Sequence, residues 1–64
     1  MPKDRTGLLI IRAWTEDGSL TPLRAQLSRT ADISTGIEER SVHTDVIEVG
    51  AEVDTWLREI LAGT

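Results

Sequence analysis

Three segments in the first two thirds of the chain carry the apolar and polar patterns that are typical of β-strands. They are residues 7–14, 20–30 and 38–43. The first is a nearly continuous apolar run. The second alternates apolar and polar residues with a period of two, as a half-buried strand does. The third has the weakest pattern, so the sequence predicts two strong strands followed by a shorter one.

The last third of the chain changes to the three- and four-residue spacing of an amphipathic helix. On a helical wheel of about 100° per residue, six apolar residues fall within an arc of roughly 100°. They are Val46, Val49, Val53, Trp56, Leu57 and Ile60. Thr44 or Asp45 can cap the start of this helix, and Gly63 stands where it should end. We therefore expect one face of the helix to pack on the strands.

Two further features of this helix concern its polar side and its glycine. Glu48 and Glu52 lie one turn apart on the side opposite the apolar arc. A solvated face explains them better than a weak cation site. Gly50 costs about 1 kcal/mol relative to alanine inside a helix. We expect it to mark a close approach between the helix and the sheet.

These elements predict an α+β fold. We expect a three-stranded antiparallel meander sheet packed on one C-terminal amphipathic helix (βββα), forming a single domain over 7–63. Residues 1–6 are polar, and we expect them to be flexible. A core of this size supplies only roughly 3–5 kcal/mol. Because the chain has no cysteine and His43 alone cannot build a zinc site, self-association is the remaining way to supplement the core.

The turn between the first two strands leaves two registers open. Asp17-Gly18 predicts a hairpin turn. A two-residue loop turns Trp14 toward the helix and leaves Leu9 and Ile11 outside. A three-residue loop turns Leu9 and Ile11 toward the helix and leaves Trp14 on the open face. In either register, large apolar residues of the first strand remain uncovered, because one helix covers only one face.

The first strand and its neighbour are therefore the predicted contact surface. Its residues are Leu8, Leu9, Ile10, Ile11, Arg12, Trp14 and Arg24. In a meander the first strand is also an edge strand, with unpaired backbone groups and no lysine or proline in its apolar stretch. We expect a protein-interaction or assembly module that forms a homodimer through this strand and the open sheet face, or binds a larger protein partner.

Charge decides between protein and nucleic acid as the partner. The net charge is −4, and the whole excess lies from Asp45 onward, where it repels phosphates. Arg12, Trp14 and Arg24 on one sheet face are also typical of a weak single-stranded nucleic-acid binder, which is the alternative function. The same combination of tryptophan and arginine is equally typical of a protein–protein contact. We therefore do not expect nucleic acid as the partner.

The sequence predicts no catalytic, cofactor-binding or metal-binding residue, and we do not expect an enzyme. Ser41, His43 and Asp45 are two residues apart, so their side chains project in parallel and do not converge as a nucleophile and its base. No segment matches a phosphate-binding loop or a dinucleotide fingerprint. No apolar run approaches the roughly 20 residues that span a bilayer. The lack of cysteine favours a cytoplasmic location.

Three stretches carry a family resemblance. They are Ile10–Trp14, Leu23–Arg29 and the ending with Val53, Trp56 and Leu57. Together they resemble a group of short uncharacterised actinobacterial proteins of β-β-β-α type, over most of residues 8–61. The resemblance implies the same strand and helix order. It implies no activity, no cofactor and no functional residue.

Overall fold

The order of the elements confirms the predicted βββα architecture. A computed structural model describes residues 5–63. Its elements are β1 (Leu8–Thr15), β2 (Leu23–Thr30), a 3₁₀ turn (Ile33–Thr35), β3 (Glu39–His43) and α1 (Val46–Ala62). The strands form one antiparallel sheet in the order β1-β2-β3. Of the N-terminus predicted to be flexible, residues 1–4 lie outside the described part, and the carbonyl of Thr6 accepts a hydrogen bond from the backbone N–H of Ile33.

The hairpin between β1 and β2 is longer than either predicted loop, and both predicted registers are wrong. Ile11 lies opposite Leu27 and Trp14 opposite Arg24, so the loop runs from residue 16 to residue 22. The backbone N–H of its first residue donates to the carbonyl of Pro22 over 2.8 Å, which closes the loop. Gly18 takes its positive φ inside this loop rather than in a tight turn. Because proline has no N–H to pair, β2 begins only after Pro22.

The two faces of β1 nevertheless match those of the three-residue alternative. Ile11 pairs with Leu27 and faces the helix, whereas Trp14 pairs with Arg24 and lies on the open face. The observed register differs from that alternative by an even number of residues. Because side chains alternate with a period of two, an even shift changes partners without changing faces.

The core is small and lies under the helix at β2. Among the described residues, Ala25 and Leu27 are the fully buried hydrophobic ones. The contacts of α1 with the sheet fall mainly on β2 and β3. Near its end, the indole N–H of Trp56 donates to the carbonyl of Thr30 over 3.0 Å. The backbone at Gly7 passes so close that a Cβ there would lie 2.6 Å from Cδ1 of Ile60.

Part of the predicted packing of the helix is wrong. Val46 and Leu57 belong to the predicted apolar arc, yet they are 73% and 48% exposed. No atom of the sheet lies within 4 Å of where a Cβ of Gly50 would stand, so the close approach occurs at Gly7 instead. The predicted cap is correct, since the carboxylate of Asp45 accepts the backbone N–H of Ile47 over 3.0 Å.

Candidate interaction surface

Strand β1 is exposed along its edge and on both of its faces. It pairs with β2 on one side, and within residues 5–63 no strand lies beside its other edge, given the order β1-β2-β3. Leu8 and Ile10 on the open face are about half exposed, and so is Ile11 on the helix side. An edge of this kind offers free backbone donors and acceptors together with apolar side chains.

The open face of the sheet combines Trp14 with arginines. The guanidinium of Arg12 lies 5.4 Å from the centroid of the Trp14 ring, in a cation–π contact. Glu16 contacts two members of this group: its carboxylate accepts the indole N–H of Trp14 and pairs with Arg24, both over 3.3 Å. Within residues 5–63, Arg12 has no carboxylate at ion-pair distance.

The pairing of β3 adds residues to the open face that the sequence analysis did not include. Val42 lies opposite Gln26, and Arg40 lies opposite Ser28. Val42 is exposed, and Arg40 pairs with a carboxylate of Glu38 over 2.8 Å. The period of two in β3 would have identified both residues once the register was known.

The seven predicted contact residues are divided between two surfaces. Five lie on the open face: Leu8, Ile10, Arg12, Trp14 and Arg24. The other two, Leu9 and Ile11, lie on the helix side. Since a sheet separates the two groups, one partner cannot cover all seven side chains from a single direction.

The helix side of β1 and one flank of α1 both expose apolar side chains. Glu52 faces β2 and β3, where it contacts Arg29 and Ser41. Val46, Leu57 and Leu61 lie about 120–180° around the helix from Glu52, at about 100° per residue. They therefore lie on a side of the helix that does not carry these polar contacts, and we call these three residues the apolar flank. Its members are exposed, and Ile11 on the helix side of β1 is 47% exposed.

The opposite flank of α1 is tied to the sheet by polar contacts. The side chain of Glu52 is only 12% exposed. Its carboxylate accepts the hydroxyl of Ser41 over 2.5 Å, contacts Nε2 of His43 over 2.6 Å and pairs with Arg29 over 3.6 Å. The expectation that Glu52 belongs to a solvated face is therefore wrong. Glu48 is exposed as expected, and it reaches Nδ1 of His43 over 3.3 Å.

Arg29 connects this polar cluster to the rest of the sheet. Besides Glu52, it pairs with Glu39 over 3.0 Å and with Glu59 over 3.4 Å. A single guanidinium thus joins β2, β3 and two turns of the helix. Its side chain is 18% exposed, so these contacts are partly shielded from solvent.

The same contacts shift the titration of two groups. The hydrogen bond to Glu52 raises the pKa of His43, although burial opposes the shift. Burial disfavours the ionised form of Glu52, but the hydrogen bonds from His43 and Ser41 and the charge of Arg29 outweigh it and lower the pKa of this carboxyl. The arrangement is that of an ion pair holding a helix on a sheet. Ser41 and His43 meet at Glu52, whereas Asp45 caps the helix.

Comparisons with known proteins add no identification. No family model, no curated protein and no solved structure matches the chain. In the described part of the chain, no group of three or more histidine or acidic side chains is arranged to hold a metal ion. No helix there is long and apolar enough to cross a membrane.

Proposed function

We propose that the chain is a small protein-interaction module that forms a homodimer through β1. One observation carries the proposal: β1 is an edge strand with large apolar side chains exposed on both faces, among them Ile10 and Ile11. Isolated proteins rarely expose such a combination of apolar surface and unpaired backbone. A second strand paired along this edge would bury the apolar surface and form hydrogen bonds with the unpaired backbone groups.

The size of the core supports self-association. The Cα radius of gyration is 14.1 Å, whereas a compact chain of this length has about 10.7 Å. Ala25 and Leu27 are the fully buried hydrophobic residues within 5–63. A second copy would add buried apolar area to a core that is otherwise marginal. The lack of cysteine is consistent with a cytoplasmic location for the module.

The alternative is a weak single-stranded nucleic-acid binder that uses Arg12, Trp14 and Arg24. The stacking of Arg12 on Trp14 supports it. Glu16 speaks against it, because this carboxylate contacts both Trp14 and Arg24 where a phosphate or a base would have to approach. Protein contact is therefore the better-supported function.

Sedimentation equilibrium of the purified chain, from low micromolar to submillimolar concentration, tests the proposal. We expect a reversible dimer. We also expect Ile10→Asp or Ile11→Asp to change its dissociation constant, whereas Ile37→Asp, at a more exposed loop position, should leave it unchanged. A single species of 7.1 kDa at every concentration would overturn the proposal.

Titration with a single-stranded oligonucleotide tests the alternative function, nucleic-acid binding. If the chain bound it, the fluorescence of Trp14 would change at low salt and the affinity would fall steeply as salt rises. We expect no change in fluorescence at either salt concentration. A salt-sensitive response together with a monomeric chain would establish the alternative function instead.

A further inference from the structure

We infer that the partner of β1 is the β1 strand of a second copy, paired antiparallel with Ile11 opposite Ile11 and covered from the helix side by the apolar flanks of both helices. This inference rests on the proposed self-association and specifies its site. It makes the two sheets one continuous six-stranded sheet with both helices on the same side.

The apolar side chains exposed on the helix side are suited to an apolar contact. Ile11 and Leu57 are each about half exposed there, although both lie on the side where the core is formed. The first charged residues beyond the apolar flank, Asp54 and Arg58, form an ion pair of 2.8 Å with each other. Within residues 5–63, the ion pairs of α1 with the sheet lie on the opposite flank, around Arg29 and His43. An apolar partner can therefore pack beside Leu57 without separating any of these ion pairs.

A second copy of β1 can form hydrogen bonds with the free backbone groups along the edge of β1, because the two edges are identical. Antiparallel pairing of identical strands about a two-fold axis offers every free N–H and C=O of one edge to the same groups of the other. Residues directly opposite share a face, so the numbers of paired residues must add up to an even number. This condition leaves few registers, and the charge and the apolar side chains of β1 distinguish them.

Centring the two-fold axis on Ile11 avoids contact between like charges. In this register Ile11 faces itself, Ile10 faces Arg12 of the other copy, and Leu8 faces Trp14 of the other copy. Moving the axis to Arg12 places Arg12 opposite Arg12, where like charges destabilise a cross-strand pair. Moving it to Ile10 instead places Trp14 opposite Thr6, which lies outside β1. The register centred on Ile11 also gives the exposed side chains of Leu8 and Trp14 an apolar neighbour.

The chain exposes more surface than a compact monomer of its mass. Its accessible area is 4985 Å², whereas a monomeric protein of 7.1 kDa exposes about 4,100 Å². The edge of β1 and the apolar flank contribute to this excess, and pairing with a second copy would bury part of it.

Stacking two copies through their open faces is a poorer arrangement. It would bury the face that carries Arg12, Arg24 and Arg40 against the same face of the other copy. Arg24 and Arg40 have carboxylate partners within their own chain, but Arg12 has none among the described residues. Burying that charge against its copy costs free energy that pairing along the edge avoids.

Cysteine crosslinking tests the register directly, because the natural chain has no cysteine. Residues opposite each other in paired strands have Cα atoms about 4.5–5.5 Å apart, within reach of a disulfide. Ile11→Cys should therefore form a covalent dimer on mild oxidation at least about tenfold faster than Ile10→Cys, whose copies lie further apart. Leu20→Cys, in the exposed hairpin loop, gives the rate of random collision.

Sedimentation of charged variants completes the experiment. Leu57→Asp, on the apolar flank, should raise the dissociation constant of the dimer at least about tenfold. Ile10→Asp should lower it, because the new carboxylate faces Arg12 of the other copy. Circular dichroism checks that both variants keep their helix.

The results of these experiments show whether the inferred register and site are wrong or whether self-association itself is wrong. A dimer that crosslinks through Ile10→Cys as fast as through Ile11→Cys would overturn the register and leave self-association standing. A wild-type dimer with no crosslinking above the rate of Leu20→Cys, or one that tolerates Leu57→Asp, would overturn the proposed site in the same way. A wild-type chain that remains monomeric would overturn self-association itself.

Discussion

The two flanks of α1 meet the sheet in opposite ways. On the flank facing β3, Glu52 is held by Arg29, Ser41 and His43 through contacts between 2.5 and 3.6 Å. On the other flank, Leu57 of the helix is about half exposed, as is Ile11 of β1, a strand that pairs with β2 alone among the described strands. One flank is polar and satisfied within the chain, and the other is apolar and open.

This difference shows how so small a domain can fix its helix and still keep apolar surface for a partner. Hydrogen bonds and ion pairs depend on direction, so the cluster around Glu52 specifies where the helix lies on β2 and β3. Apolar contacts do not depend on direction in this way, and another chain can supply them. The polar flank therefore sets the orientation that leaves the apolar flank accessible.

The largest expected effect is a loss of stability on truncating Leu27, compared with truncating Ile11 opposite it in the sheet. Leu27 is fully buried and its cross-strand neighbour Ile11 is half exposed. Leu27→Ala should lower the free energy of unfolding by about 2–5 kcal/mol, because it leaves a cavity, which is enough to unfold much of the chain. Ile11→Ala should cost about 1 kcal/mol or less in the monomer. Urea denaturation at low protein concentration measures both, and equal losses would contradict the division into a closed and an open side.

A second pair of variants tests the polar flank. Glu52→Gln keeps the size of the side chain but removes the charge that faces Arg29 and His43. It should lower the free energy of unfolding by about 2 kcal/mol, as expected when a partly buried charged hydrogen-bond acceptor is lost. Glu48→Gln is the matched control, and its exposed side chain should contribute at most about 0.5 kcal/mol. A similar loss for both variants would mean that the cluster does not fix the helix.

The strands, the helix and its Asp45 cap could be predicted because they depend on local patterns. The alternation in β2 and the three- and four-residue spacing in α1 are properties of short segments. The faces of β1 were also within reach, since a period of two allows only two choices. The length of the hairpin was not, because Asp17-Gly18 favours a tight turn and nothing local shows that pairing stops at Thr15.

The division between the two flanks could not be predicted, because it depends on contacts between distant residues. A helical wheel places Glu52 on the polar side, but its burial requires Arg29 and Ser41 from two different strands. Likewise, the wheel places Leu57 in the apolar arc without showing that the helix lies over β2 and β3 rather than β1. Tertiary position, rather than local periodicity, decides which apolar residues remain exposed.

Replacing two glycines by alanine should give smaller changes in stability, of opposite sign. Gly7 packs against the helix, whereas Gly50 has open space around it. A Cβ at Gly7 would lie 3.0 Å from the carbonyl of Thr30 and 3.2 Å from the ring of Trp56, so Gly7→Ala should destabilise the fold by about 1 kcal/mol. Gly50 has open space around it, and Gly50→Ala should stabilise the helix by up to about 1 kcal/mol. Thermal unfolding at low protein concentration measures both shifts. A loss of stability in Gly50→Ala would show that the open flank is closed within the monomer.

The smallest expected effect is the dependence of stability on pH, which reports on the polar flank alone. Glu52 has its pKa lowered in the fold, so its contribution is present above its ordinary value of 4.5 and is lost as the pH falls through the lowered value. His43 has its pKa raised, so its contribution is fully present below its ordinary value of 6.5 and is lost as the pH rises through the raised value.

The free energy of unfolding should therefore be largest between pH 4.5 and pH 6.5, the ordinary pKa values of the two groups. Because His43 is the only histidine, the decrease on the alkaline side can be assigned to it. His43→Gln should flatten that decrease and keep the acidic one, to which Asp32 and Glu38, with their lowered pKa values, also contribute. Urea midpoints measured across this range provide the test. An alkaline decrease that persists in His43→Gln would show that the contact between His43 and Glu52 does not stabilise the closed flank.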